Sequence, residues 1–162
     1  MKMYKNTLRH PRIHGIQVKE LDVHADERGR LVEILKRDEP FFNKFGQVYM
    51  TTAYPGVTKA WHYHRKQEDN FFVVRGMMKI VCFDDRKGSP TRKSINEFFA
   101  GEHNPIVVKI PPGVFHGFKC ISDTEAIVIN TVTEPYNPKA PDEFRLPAHT
   151  KKIPYDWSRK DS

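Results

Sequence analysis

From Ile16 onward the chain is a succession of short stretches in which apolar and polar residues alternate or a few apolar residues run together. They span 16–23, 30–35, 47–54, 57–64, 70–74, 77–83, 106–110, 117–121 and 126–132. A period of two sends successive side chains to opposite faces, so each stretch predicts a strand with one buried face. Turn chemistry separates them: Asp26-Glu27-Arg28-Gly29, Tyr54-Pro55-Gly56, Arg75-Gly76, the run 84–90 and Pro111-Pro112-Gly113. No segment keeps a helical period over three turns, and only 39–45 reads as a short helical turn. Many short strands at near-regular spacing predict an all-β antiparallel sandwich or barrel, and a jelly roll is the form whose wide mouth holds a ligand. From Glu134 the chain turns proline-rich and loses its period, which predicts an ordered wrap anchored by Tyr136, Phe144 and Trp157.

At 162 residues the chain is expected to be one domain, 1–162, able to bury a core without staples. No apolar run approaches a membrane span and the first residues lack the apolar core of a secretory signal, so a cytoplasmic protein with no membrane partner is expected. The two cysteines, Cys82 and Cys120, sit in strand-like runs without CxxC spacing and read as reduced structural thiols. A net charge of +7 favours an anionic ligand such as a nucleotide or sugar phosphate. The basic residues are scattered rather than gathered in one stripe, and no zinc-finger or RNA-recognition signature is present. No nucleic-acid partner is expected.

One constellation changes this picture. His62 and His64 stand two apart in an alternating run, so both imidazoles share a strand face. Asp69 follows the turn residues Arg65-Lys66-Gln67-Glu68, where a returning strand brings its carboxylate back toward the rings. His116 follows a Pro-x-Gly turn that opens a further strand. Three imidazoles and a carboxylate suit a divalent metal such as Zn, Fe, Mn or Ni. The alternative is a polar histidine pocket without metal.

The spacing G-x5-H-x-H-x4-D-x6-G, followed by P-x-G-x2-H, resembles the two signature motifs of the cupin superfamily, with Asp69 where that family usually has Glu. Over most of its length the chain also resembles the dTDP-4-dehydrorhamnose 3,5-epimerase family. That likeness rests on Asp26-Glu27-Arg28-Gly29 with Glu33, on Gln47, on Gly56-Val57 leading to His62, and on 110–118. The resemblance implies a cupin jelly roll, a homodimer, and an isomerase acting on a nucleotide-diphosphate 4-keto sugar in polysaccharide or deoxysugar synthesis. It implies His62 as base, and Arg28, Gln47, Lys59 and His116 are taken as substrate contacts. Departures accompany it: the family's Arg-Gly-x-His reads Lys59-Ala60-Trp61-His62, its Gln two after the His is His64, its Lys before the next strand is Asp69, its general-acid Tyr falls at Ile129, and the Asp that orients its His falls near His149 or Thr150. The same departures resemble the cupin domain fused to a reductase in capsular-polysaccharide synthesis, through PGVTKAWHYH, FFVVRG and the loop 137–142. In that relative the positions of His62, His64, Asp69 and His116 bind zinc, and the reaction is epimerisation at C3 of a 4-keto UDP-sugar.

Epimerisation next to a ketone needs a base with a pKa about 7 and a stabiliser for the enolate oxygen. A metal on the four donors supplies the second, but a His bound to metal is no base. The base then falls to Glu68, His103, His149, Tyr49 or Tyr136, and Tyr136 is taken as the catalytic partner of His62. Without metal, His62 is the base. Arg28 and Lys59 are placed toward the diphosphate, and Trp61, on the opposite strand face from the histidines, is expected in the core. Two other functions stay open: a metal cupin of another class, such as a dioxygenase or ketoisomerase, and a non-catalytic cupin that binds a nucleotide sugar.

Overall fold

The computed structural model describes residues 11–161, and among them there are strands and turns but no helix. In chain order the strands are β1 (Gln17–Glu20), β2 (Val23–Asp26), β3 (Gly29–Val32), β4 (Gln47–Ala53), β5 (Thr58–Tyr63), β6 (Asp69–Arg75), β7 (Met77–Asp84), β8 (Ile95–Gly101), β9 (Ile106–Ile110), β10 (Val114–Cys120), β11 (Ala126–Val132) and β12 (Phe144–Arg145). One antiparallel sheet runs β1-β9-β6-β11-β4 and the other β12-β5-β10-β7-β8, while β2 and β3 form a separate ribbon. The inward rows of the two sheets meet in a core that includes Phe71, Val73, Val108 and Val128 from the first and Met78, Ile80, Phe98 and Phe118 from the second. This is the cupin jelly roll.

The alternating stretches become strands to within a few residues, but 95–101 was not expected to be one. Its inward row begins with a polar residue, Asn96, which hides the period. That side chain is 1% exposed and ties down the incoming N-terminal segment: it accepts from the Ile13 amide at 2.7 Å and donates to Pro11 O at 3.1 Å. β12 is too short to carry a period at all. The helical turn expected over 39–45 is instead a pair of turns, closed by Glu39 N to Lys36 O and Phe42 N to Glu39 O. Glu39 spends its carboxylate on Lys19 at 2.6 Å and on the Lys36 amide, and these local bonds compete with helical pairing.

The tail does wrap, with Trp157 and Phe144 anchoring it as expected, Ile153 added and Tyr136 left out. Ile153 and Trp157 are buried against Trp61, Val81 and Phe83 on the outer face of the second sheet. Trp61 is thus core, as its strand parity predicts, and burying each indole contributes on the order of 3 kcal/mol. Phe144 stacks on Tyr63 with centroids 5.0 Å apart, which seats β12 beside β5. Tyr136 anchors nothing: it is 62% exposed. Cys82 and Cys120 are free and buried, and burial pushes the Cys82 thiol well above its ordinary range. No helix among the described residues is long and apolar enough to cross a membrane.

Candidate active site

β5 lies in one sheet and β6 in the other, so the turn after β5 carries the chain across the sandwich and sets Asp69 against the histidines from the facing wall. Asp142 holds that turn, accepting the amides of Arg65, Lys66 and Gln67 at 2.9, 2.8 and 3.1 Å. On the other side His116 is the cross-strand partner of His62, one residue before a bulge in the β5–β10 pairing. The strands approach closely here: a Cβ on Gly117 would stand 2.8 Å from Lys59 O, so only glycine fits. The rings of His62 and His116 are 4.1 Å apart and those of His62 and His64 5.4 Å.

One nitrogen from each of His62, His64 and His116 lies within 4.8 Å of the others. Asp69 Oδ2 is 3.4 Å from His116 Nε2 and 3.5 Å from His64 Nε2. His116 Nδ1 donates to Val114 O at 2.9 Å, and His64 Nδ1 donates to the carbonyl of Asp142. Both Nε2 lone pairs are thereby turned toward the carboxylate. His116 Nε2 is buried and has no hydrogen-bond partner among the described residues. Asp69 Oδ1 accepts from Gln67 Nε2 at 3.0 Å and from Asn130 Nδ2 at 2.7 Å. Burial holds the His62 and His116 imidazoles below the ordinary histidine range. For His62 the neighbouring His116 and His64 lower it further, whereas for His116 the Asp69 carboxylate opposes the shift.

Two cavities open from this cluster. The larger, ≈ 460 Å³, is walled by Lys59, His62, Thr51 and Phe71 among others, and the smaller, ≈ 280 Å³, by Gln47, His64, Gln67 and Tyr136; Tyr49, Glu143 and Arg145 line both. Of the expected site residues, His62, His64, Asp69 and His116 therefore converge, and Gln47, Lys59 and Tyr136 stand on the cleft wall. Lys59 Nζ reaches Thr51 Oγ1 at 3.3 Å, and Gln47 Oε1 accepts the Tyr136 amide at 2.7 Å.

Three expectations need correction. Arg28 sits at the tip of the β2–β3 ribbon, its side chain 85% exposed and paired with Asp26 at 2.5 Å, away from this chain's cleft. The turn sequence that bends the ribbon also aims it outward. His116 is 1% exposed and stands behind His62, so it does not wall the cleft directly. Ile129 belongs to the half-exposed outward row of β11; the inward residue beside it is Asn130, fully buried. Of the alternative bases, Glu68 faces Lys109 at 3.4 Å, and His103 and His149 are exposed and outside both cavities. Gln67, Asn130, Asp142, Glu143 and Arg145 were not singled out as site residues. The 137–142 loop held the signal for Asp142, but nothing local marks the other four.

Fold and site together define a cupin with a histidine-lined cleft between its sheets. The chain belongs to the polysaccharide biosynthesis C-terminal domain family, which matches residues 24–144, among the cupin-fold nucleotide-sugar epimerases. It is 41% identical to a probable low-salt glycan biosynthesis epimerase of Haloferax volcanii, over 91% of this chain and 96% of that protein. It is 39% identical to a spore coat polysaccharide biosynthesis protein of Bacillus subtilis, over 90% and 97%. Among solved structures, a dTDP sugar isomerase from Desulfovibrio desulfuricans superimposes with a TM-score of 0.86 at 31% identity, covering 92% of this chain and 94% of that one.

Proposed function

We propose that the protein epimerises a 4-keto hexose carried on a nucleoside diphosphate, at the carbon next to the ketone, in the synthesis of a surface polysaccharide or deoxysugar. The observation that carries this reading is His62. It opens on the larger cavity, has no hydrogen bond among the described residues, and is kept neutral by burial and its histidine neighbours. A neutral imidazole with a free lone pair is a base in waiting. Its removal of the C3 proton leaves an enolate whose negative charge falls on the C4 oxygen, and return of a proton to the other face inverts the centre. Lys59 at the mouth and Arg145 between the cavities supply positive charge for the diphosphate, and Tyr136 and Gln47 form the rim.

A second reading has its own observation. Three imidazoles and Asp69 converge, and two of the nitrogen lone pairs approach a carboxylate oxygen at 3.4 and 3.5 Å. Gln67 Nε2 meets the His64 lone pair at 3.2 Å, but no donor among the described residues meets the His116 lone pair, which faces Asp69 Oδ2 and is repelled by it unless a cation lies between. The carbonyls behind His64 and His116 orient the rings as a metal site requires. His62, His64, Asp69 and His116 fit a divalent ion, zinc foremost. Such an ion supplies Lewis-acid polarisation of the C4 carbonyl. With His62 as a ligand, proton transfer passes to the phenols on the cleft wall.

Incubation with UDP- and dTDP-linked 4-keto-6-deoxyhexoses in deuterated water tests the reaction. The general-acid Tyr that the 3,5-epimerase resemblance places on β11 is absent, since neither Ile129 nor the inward Asn130 beside it is a phenol. Deuterium is therefore expected at C3, with C5 exchange at least about tenfold slower, a barrier difference of about 1.4 kcal/mol. Equal labelling at both carbons refutes single-site action. Tight binding of the sugar without exchange identifies a non-catalytic cupin.

Assembly belongs to the same proposal. The β2–β3 ribbon is exposed at nearly every position, with Leu31 60% and Val23 43% exposed, and Val48 and Met50 form an apolar row on edge strand β4. A homodimer covers such surfaces, and a second copy gives Arg28 its route to a cleft. Light scattering at micromolar concentration is expected to return twice the chain mass of 19.0 kDa, and a monomer mass sinks this part.

A further inference from the structure

Inversion needs two proton carriers on opposite faces of the sugar ring, and His62 accounts for one. The inward residue of β11 is an amide, so the second cannot come from there. Its cross-strand register partner on β4 is Tyr49. β4 lies in the first sheet and His62 in the second, yet both side chains wall the same cavity of ≈ 460 Å³. The imidazole and the phenol thus enter that cavity from different sheets.

The hydrogen-bond network sets which way the phenol donates. Asn130 Oδ1 accepts the Asn70 amide at 3.0 Å, which fixes the side-chain amide so that its NH₂ points into the site. That NH₂ donates to Asp69 Oδ1 at 2.7 Å and to Tyr49 Oη at 2.8 Å. An NH₂ group only donates, so Tyr49 Oη is the acceptor and its own hydrogen is left to point elsewhere. Tyr49 is 36% exposed and walls both cavities, and among the described residues its O–H donates to no protein group. Tyr136 is placed differently: it walls only the smaller cavity, which does not include His62.

We propose that Tyr49, rather than Tyr136, is the second proton carrier, delivering its phenolic proton to C3 on the face opposite His62. The step rests on the epimerase reading with His62 as base. His62 takes the C3 proton and becomes an imidazolium, while the C–H electron pair moves into the enolate. The enolate then re-forms the C4 carbonyl as C3 takes the proton from Tyr49 Oη on the other face. The resulting phenolate is reprotonated, and the imidazolium deprotonated, through solvent before the next turnover. Desolvation and the nearby Asp69 carboxylate raise the Tyr49 pKa to about 12, so the phenol holds its proton until the strongly basic enolate carbon forms.

The test is Tyr49→Phe, with Tyr136→Phe in parallel, on the same 4-keto sugars in deuterated water, following C3 label and C3 configuration separately. His62 alone can remove a proton and return deuterium to the same face. Tyr49→Phe is therefore expected to keep C3 exchange with retention within about threefold of wild type while inversion falls at least about 100-fold. Tyr136→Phe is expected to invert normally. Inversion by Tyr49→Phe within tenfold of wild type overturns the assignment. Parallel loss of exchange and inversion overturns it too, because the phenol then serves the first step or only shapes the wall. Wild-type protein that neither exchanges nor inverts overturns the epimerase reading itself, and this proposal with it.

Discussion

Replacing His62 with alanine is expected to lower kcat/KM for a 4-keto nucleotide sugar by about 10³-fold, roughly 4 kcal/mol of transition-state stabilisation. The size follows from position. His62 is the histidine of the cluster that walls the larger cavity, while His116 stands behind it and His64 walls only the smaller one. Glu68, His103 and His149 are too far from the cleft wall or already engaged to replace it as base. With His62 as base and no ion on it, the substitution removes a half-buried ring that makes no hydrogen bond among the described residues, so the melting temperature is expected to change little. A variant that keeps its rate within tenfold of wild type would show that neither the base nor the ligand role belongs to His62.

Metal content is the second large effect. On the metal reading, which takes His62 as a ligand instead of the base, protein purified without chelator is expected to carry close to one divalent ion per chain. Asp69→Asn is expected to carry less than about a tenth of that. This variant keeps the shape of the side chain, and Oδ1 still accepts from Gln67 and Asn130, but the charge between His64 and His116 is gone. His116→Ala should lose the ion as well, with added destabilisation from the cavity it leaves beside Phe71. An ion present at about a thousand times its Kd contributes about 4 kcal/mol to folding, so chelation is expected to lower Tm by about 10 °C. Elemental analysis that finds no metal in protein never exposed to chelator ends the metal reading and leaves His62 as the base.

Much of this protein was legible along the chain. Burying one face of a sheet imposes a period of two, and that period located most of the core strands, such as 47–53, 77–84 and 126–132. The same parity put His62 and His64 on one face and Trp61 on the other. Strand 95–101 escaped because its buried Asn96 breaks the apolar row. That polar residue is tolerated for bonds to Ile13 and Pro11, more than eighty residues away. The turn at Arg28 was legible as a turn, but where it points depends on how the ribbon leaves the sandwich. Asp69 was recognisable as a donor, yet only the crossing from one sheet to the other sets it between His64 and His116. Tyr49 was legible only as one of five candidate bases, and Asn130, 81 positions away, carried no local signal of its chemistry. Alternation determined which faces are buried because each strand meets water on its own. Register across β4 and β11 decided which phenol meets which amide, because that contact exists only once two distant strands are paired.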